Sequence, residues 1–394
     1  MSFPSVAYEF TMNQLADSFM RNNPEISIRF IKINKTGAED PYLQRISSND
    51  LPACGEIFWH AAYAKQNALY PLENLPDFQE IEEEVHQQAI DSTLNRENEF
   101  HVHALYLYLS IPSFLILNPG LLEKAGITPP TIQPTWSSLQ QMLQICDRKN
   151  RRNSSIHTTA LNLPNSYHFV QSYLELMGQD LFSDSFPINS QEAFCQIFST
   201  ESALASLELL RQIQNCSKIL FHQGSEYFSL GNIAILPFSS SRTLFLLNML
   251  NPGLDDSIFA HPPIGENSRC PSFYTGYSVG IFRKGIKSKA QLMATWKWLR
   301  FLFFRRSQYH LSQNLYFPMR KNMSSYLQEK RPATKALMLG LLSRAVPQPD
   351  FVGMRKMYTI VGEAIAAFLQ KHTSPEQCLC SIRQRLETAV RTGK

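Results

Sequence analysis

Over 105–117 the chain reads LYLYLSIPSFLIL, apolar everywhere except Ser110, Pro112 and Ser113. A buried strand is apolar on both faces, and proline has no N–H to donate to a central ladder. The run therefore predicts two buried strands meeting at Pro112, where the ladder ends or the chain changes sheet. Beyond Asn118, Pro119 fits the first position of a helix whose buried side is Leu121, Leu122 and Ala125, with Gly126 at its C-terminal cap. Pro129, Pro130 and Pro134 hold the next loop extended. Thr135 or Ser137 then caps a helix carrying Trp136, Leu139, Met142, Leu143 and Cys146.

The same reading extends along the chain. Leu15, Ala16, Phe19 and Met20 share one helical face over 13–23, ended by Asn22-Asn23-Pro24; Ile26, Ile28 and Phe30 then alternate as a strand. Within 51–72 a short apolar strand (Ile57, Phe58) releases Trp59 at its C-terminal end, the position at which open α/β sheets bind ligands. The acidic stretch 78–99 suits a surface helix with a solvated face, 165–177 a helix stopped by Gly178, and 202–214 an amphipathic helix. Strand-like 231–238 runs into three serines, Ser239 to Ser241, whose hydroxyls and free backbone N–H groups suit hydroxyl or phosphate recognition. Strands alternating with helices make the fold class α/β.

Length and composition narrow the function. At 394 residues the chain has room for two domains, and 44% hydrophobic against 18% charged residues describes a packed core without a long disordered arm. No apolar run approaches the roughly 20 residues that span a bilayer. The net charge of +4 is scattered, with one loop cluster (RKNRR, 148–152), which does not make a nucleic-acid groove. Seven cysteines lack paired spacing, and the histidines (His101, His103, His157, His168, His222, His261, His310 among them) lack metal-ligand spacing, so no metal site and no cofactor are expected. There is no phosphate-binding glycine loop, dinucleotide fingerprint or nucleophile motif, so no chemical step is expected; a hydrolase or transferase would need acid–base geometry that the sequence does not display.

The segment ILNPGLLEKAGITPP…PTWSSL resembles the strand, "YNKDLFEKAGI" helix and "PPKTWDEL" helix of the family 1 solute-binding proteins, the extracytoplasmic receptors of ABC importers for sugars and polyols. Other segments follow in the family's order. LADSFMRNNPEISIRF is similar to the first helix and second strand, with only about ten residues before it where the family has a full first strand and a ligand-contacting turn. GEIFWHAAYAKQNALYPL, GNIAILPFSSS, FAHPPIG, YTGYSVGI and YFPMR resemble later motifs, and 354–390 the closing helices.

The resemblance implies a two-lobe periplasmic-binding-protein (type II) fold with a hinge and an interlobe cleft. Its lobes would be 1–109 plus 262–312 and 113–258 plus 316–394, crossing near 110–112, 259–261 and 313–315. It places Trp59 where the family has a sugar-stacking tryptophan, while the acidic and basic sugar contacts that follow fall on Ala62 and Tyr63. The implied ligand set is Trp59, Tyr63, Tyr167, Ser239, Ser240, Tyr274, Gly276, Tyr277, Tyr316 and Arg355. Aromatic faces would stack on sugar rings, serines and the Gly276 backbone would meet hydroxyls, and Arg355 would be the basic candidate for an anionic group. The implied function is capture of a carbohydrate or polyol for an ABC permease by a monomeric receptor without nucleic acid. The serine-rich turn is closest to members taking phosphorylated polyols, and a sugar-binding sensor or adhesin on the same fold is the other reading. The N-terminus MSFPSVAYEF has no basic n-region, apolar h-region or lipobox cysteine, so an extracytoplasmic protein implies an export signal already removed.

Overall fold

A computed structural model describes residues 6–31, 42, 45–46, 50–57, 60–94, 100–110, 114–128, 135–150, 157–159, 170, 173–174, 177, 190–216, 228, 230–239, 259–261, 273–312, 317–323, 346–348, 350–371 and 373–392. In chain order its first elements are α1 (Val6–Asn22), β1 (Cys54–Ile57), α2 (His60–Lys65), α3 (Phe78–Glu84), β2 (Ile90–Leu94), β3 (Phe100–Ser110), β4 (Phe114–Leu117) and α4 (Pro119–Lys124). Then come α5 (Trp136–Asn150), β5 (His157–Thr159), α6 (Gln191–Ile197), α7 (Glu201–Cys216), β6 (Ile233–Ser239), β7 (Phe259–His261) and β8 (Phe273–Ile281). The last are α8 (Lys289–Leu302), α9 (Arg305–Ser312), β9 (Phe317–Pro318), β10 (Val346–Pro347), α10 (Met354–Lys371) and α11 (Pro375–Thr392).

The chain divides into two compact units: Met1–Ser110, Thr275–Pro332 and Asp350–Val352 form the first, and Ile111–Tyr274, Ala333–Pro349 and Gly353–Lys394 the second. The second and third divisions fall later along the chain than the boundaries near 259–261 and 313–315. The pairings account for this: β7 pairs with β4 and the opening residues of β8, Phe273 and Tyr274, pair with β10, whereas β9 pairs with β3.

In the first unit the strand order is β1-β8-β3-β2, antiparallel throughout, with β9 added to β3. Buried Gln308 of α9 fastens this sheet: its amide donates to Leu107 O (3.1 Å) and Leu302 O (3.0 Å), and its oxygen accepts from Met319 N–H (2.7 Å). Both N–H groups and the carbonyl oxygen that the buried side chain brings are thereby used, so the burial costs little. Segment 26–31 is extended, but among the described residues no strand pairs with it. It stands off from Pro52, Ala53 and Cys54 across a cavity of ≈ 210 Å³ that Trp298 helps to line. The alternation of Ile26, Ile28 and Phe30 thus reports one half-buried face, not a ladder.

The expected surface helix over 78–99 is corrected: α3 stops at Glu84 and Ile90–Leu94 is a strand paired with β3. The reason is tertiary. Val85 bridges to Arg320 and His86 N–H donates to Met319 O (2.8 Å), so the backbone is committed elsewhere before another helical turn can form. Around α3, Arg300 pairs with Asp77 at the cap and with Glu80 (2.8 Å), and Arg320 pairs with Glu84 (2.5 Å).

The apolar run at 105–117 becomes β3 and β4, which lie in different sheets, with Pro112 outside the described residues. β4 belongs to the second unit's four-stranded sheet, ordered β5-β6-β4-β7, in which β5 and β6 are parallel. Asn118 Oδ1 accepts from Leu121 N–H (3.2 Å) to cap α4, Pro119 takes its first turn, and Gly126 closes it at φ +78°. Thr135 caps α5, its hydroxyl accepting from Ser138 N–H (3.2 Å). Of the expected helix over 165–177, the described residues Val170, Tyr173, Leu174 and Met177 are helical and buried on one face. Arg211 ties α7 to α10, donating to Phe368 O and Thr373 O (both 2.9 Å) while lying 4.1 Å over the Phe368 ring.

Candidate functional site

The turn between β1 and α2 in the first unit is where the sequence places its principal ligand contact. Trp59 itself lies outside the described residues, but its surroundings are well defined. His60 opens α2 and is buried, its Nε2 2.5 Å from Ser278 Oγ. Ser278 Oγ in turn donates to Ile57 O at 2.5 Å. Its single proton is spent there, so His60 must be the donor to Ser278 and carries its hydrogen on Nε2. One residue on, Ala61 N–H donates to Asp350 Oδ2 (2.9 Å). The described residues on either side of Trp59 are therefore held: Ile57 and His60 through Ser278 on the sheet, and Ala61 through Asp350 in the first turn of α2.

Below it, His60 meets the Tyr106 ring edge-on at 5.6 Å. His101 pairs with Glu73 at 2.5 Å and lies 5.8 Å from the His103 ring. Burial pushes the His103 pKa down to about 4, with the charges of His101, Arg283 and His60 acting in the same direction and Glu73 opposing them. His103 is thus a neutral ring packed into the sheet.

The predicted ligand residues separate into distinct environments. Tyr63 is fully buried, its ring 5.8 Å from Phe282 in a cluster with Ile57, Leu69 and Ala104. That enclosure departs from the ligand contact expected of it: an aromatic three residues after His60 on a six-residue helix points back into the core. Tyr277 is half-buried, its ring tilted against those of Tyr8 (5.9 Å) and Tyr108 (5.0 Å), which also meet each other edge-on (5.7 Å). Gly276 sits opposite Leu109 in the β3–β8 ladder, and a Cβ there would overlap Tyr108 O and Tyr106 Cδ1. The missing side chain is what lets the two strands approach.

In the second unit Tyr274 is buried, its carbonyl accepting from Gln348 N–H (3.2 Å) beside β10. Ser239 ends β6, its backbone opposite Phe114. Arg355 is half-buried in the first turn of α10. Tyr167, Ser240 and Tyr316 lie outside the described residues. His60 and Ser278 went unnoticed in the sequence; the available signal was only that His60 directly follows Trp59. Among the described residues no group of three or more His, Cys, Asp or Glu side chains is placed to hold a metal ion, and no helix is long and apolar enough to cross a membrane.

The family profile described as bacterial extracellular solute-binding protein matches residues 6–309, and the chain belongs to that family. Its architecture is the two-lobe α/β fold of periplasmic binding proteins. Maltose-bound MalE3 of T. maritima aligns with a TM-score of 0.77 at 18% identity, over 98% of each chain. A solute-binding protein of Agrobacterium vitis with bound D-mannitol aligns at 0.72 and 16% identity, over 98% of this chain and 96% of that one. UgpB of Mycobacterium tuberculosis in complex with glycerophosphocholine gives the same TM-score, identity and coverage. No curated protein matches the chain in sequence.

Proposed function

We propose that this protein is the extracytoplasmic receptor of an ABC importer and that it captures a carbohydrate or polyol. The observation that carries the reading is the family match over 6–309, joined to full-length structural neighbours that hold maltose and D-mannitol. Ligand is taken between the two lobes, and binding favours the closed form by the difference in affinity between open and closed states. A permease then recognises the closed form; the receptor acts as a monomer and performs no chemical step.

In this reading Trp59, Tyr167, Tyr277 and Tyr316 supply stacking faces. Ser239, Ser240 and the Gly276 backbone meet hydroxyls, and the buried Tyr63 supports the turn from beneath. His60, Ser278 and Asp350 are positioning residues for Trp59. A buried polar group left without a partner costs about 1–3 kcal/mol, so the serines and backbone groups set specificity while the rings set affinity.

A second reading, a phosphorylated polyol, is favoured by the serine turn after β6 and by the neighbour that holds glycerophosphocholine. Arg355 would then meet the phosphate.

Thermal unfolding of the purified protein against maltose, mannitol, glycerol 3-phosphate and glycerophosphocholine tests both. A ligand that binds only the folded chain raises the melting temperature by mass action. A saturable rise with a neutral sugar or polyol, lost in Trp59→Ala, is the expected result. A rise confined to the phosphorylated ligands, lost in Arg355→Ala, selects the second reading. No response to any of the four overturns the ligand class.

A further inference from the structure

The cavity beside β1 in the first unit has the shape of a strand. One wall is segment 26–31, where half-buried Ile26, Ile28 and Phe30 alternate with exposed Ser27, Arg29 and Ile31, the period of two of an extended chain. The other wall is Pro52, Ala53 and Cys54, at the open end of the sheet order β1-β8-β3-β2. The floor is one face of α8, with Gln291, Ala294, Thr295 and Trp298 at the spacing of side chains that share a helical face. The two walls differ from that floor in kind. Every residue from Ile26 to Ile31 lines the cavity, and so do three in a row at the start of β1. A wall of strand side chains would contribute alternate residues only, so an unbroken run means that the backbone edge itself faces the gap.

The hydrogen bonds agree. Ile26 N–H donates to Asn23 O (2.9 Å) and Ile28 N–H to Met20 Sδ (3.3 Å), so the even-numbered residues turn their polar groups toward the end of α1. In an extended chain the odd-numbered ones turn the other way. Ser27 and Arg29 take part in no hydrogen bond among the described residues. On the opposite wall, Ala53 O accepts from Phe282 N–H (3.0 Å) at the end of β8, which leaves the N–H and C=O of Cys54 turned outward. Two open backbone edges therefore face each other across ≈ 210 Å³. Among the described lining residues Arg29 is the one charged side chain, exposed and without an ion pair.

We propose that this gap is a peptide-binding slot, in which an extended segment of another protein inserts between 26–31 and β1 and pairs with both edges. An unpaired edge is a template for a further strand, and here two such edges offer donors and acceptors to one occupant. The lining sets the chemistry of the peptide. Small apolar side chains at alternate positions settle on the α8 floor beside Trp298, which is itself buried. An acidic residue complements Arg29. Proline is excluded from the paired positions because it has no N–H to give. The bound segment lengthens the sheet of the first unit by its own strand and by 26–31. None of these residues belongs to the ligand set of either binding reading, so the slot stands or falls independently of the sugar or polyol.

The test adds a capped synthetic peptide, acetyl-TVTVEV-amide, to the full chain and follows backbone amide exchange by mass spectrometry. The expected result is saturable protection, roughly tenfold, over 27–29 and at the start of β1. The same peptide N-methylated on alternate residues keeps its side chains but loses those donors, and should protect neither segment. Filling the floor with Ala294→Trp should abolish the effect of the plain peptide. Ser27→Pro, which removes one N–H from the edge, is a second and independent block, and circular dichroism selects the variants that fold. Three results overturn the proposal. The plain peptide gives no protection; or the N-methylated peptide protects equally, which would make the contact apolar adsorption. Or the amides over 27–29 are already protected in the free chain, which would mean that the chain closes the gap by itself.

Discussion

His103 shows how a single buried ring adds to the acid sensitivity of the fold. In the unfolded chain it titrates near 6.5, whereas in the sheet burial and the neighbouring His101 hold it down to about 4. Below pH 6.5 the unfolded chain takes a proton that the folded chain refuses. The ring's contribution to stability is therefore complete above about pH 6.5 and is lost progressively as the pH falls toward 4. Facing groups are Glu73, paired with His101, Arg283 on the following turn, and His60 across the sheet. Replacing the ring by a residue that does not titrate, His103→Gln, should flatten the melting-temperature profile between pH 6.5 and 4. An unchanged slope would assign the acid sensitivity to other groups. At this scale the sequence disclosed little. His60 and Ser278 touch across 218 positions, a relation that no local pattern encodes. Gly276 was legible as a special position, but its closeness to Tyr108 appears only once β3 and β8 are paired.

Elements were far more legible where their signals are local. Asn118, Pro119 and Gly126 delimit α4 because capping, proline entry and a left-handed exit are settled within a few residues. Asn118→Ala removes the acceptor for Leu121 N–H and should cost about 1 kcal/mol, read as a lower urea midpoint with an unchanged slope. A midpoint equal to the parent's would mean that water replaces the cap at no loss. The stretch after Glu84 shows the opposite case. Its acidic composition reads as helix, yet Ile90–Leu94 joins β3 because Val85 and His86 are already bonded to Arg320 and Met319. Those partners lie more than two hundred residues away, so composition could not anticipate them.

At the scale of the whole molecule, the two-lobe architecture was readable from the order of many individually weak motifs. The points where the chain leaves one unit for the other were less so, since they depend on which strands β7 and β9 choose as partners. The first unit is also discontinuous: Cys54 of β1 lies opposite Ile281 of β8, and β3 lies between β8 and β2. That connectivity has a consequence for how the protein is made. When the first 110 residues have left the ribosome, the strand that must sit between β1 and β3 has not been synthesised. The sheet has no centre until Thr275–Pro332 follows. Long-range pairing of this kind is slow even in a finished chain, because the loop must be closed before any contact rewards it. A fragment of residues 1–260 should accordingly be protease-sensitive and lack protected amides in β1 and β3, while the full chain protects both. Protection in the fragment would show that β3 and β2 suffice on their own. In a chain of this connectivity the first lobe cannot close from its N-terminal segment alone, so its folding is tied to the completion of the chain rather than to its start.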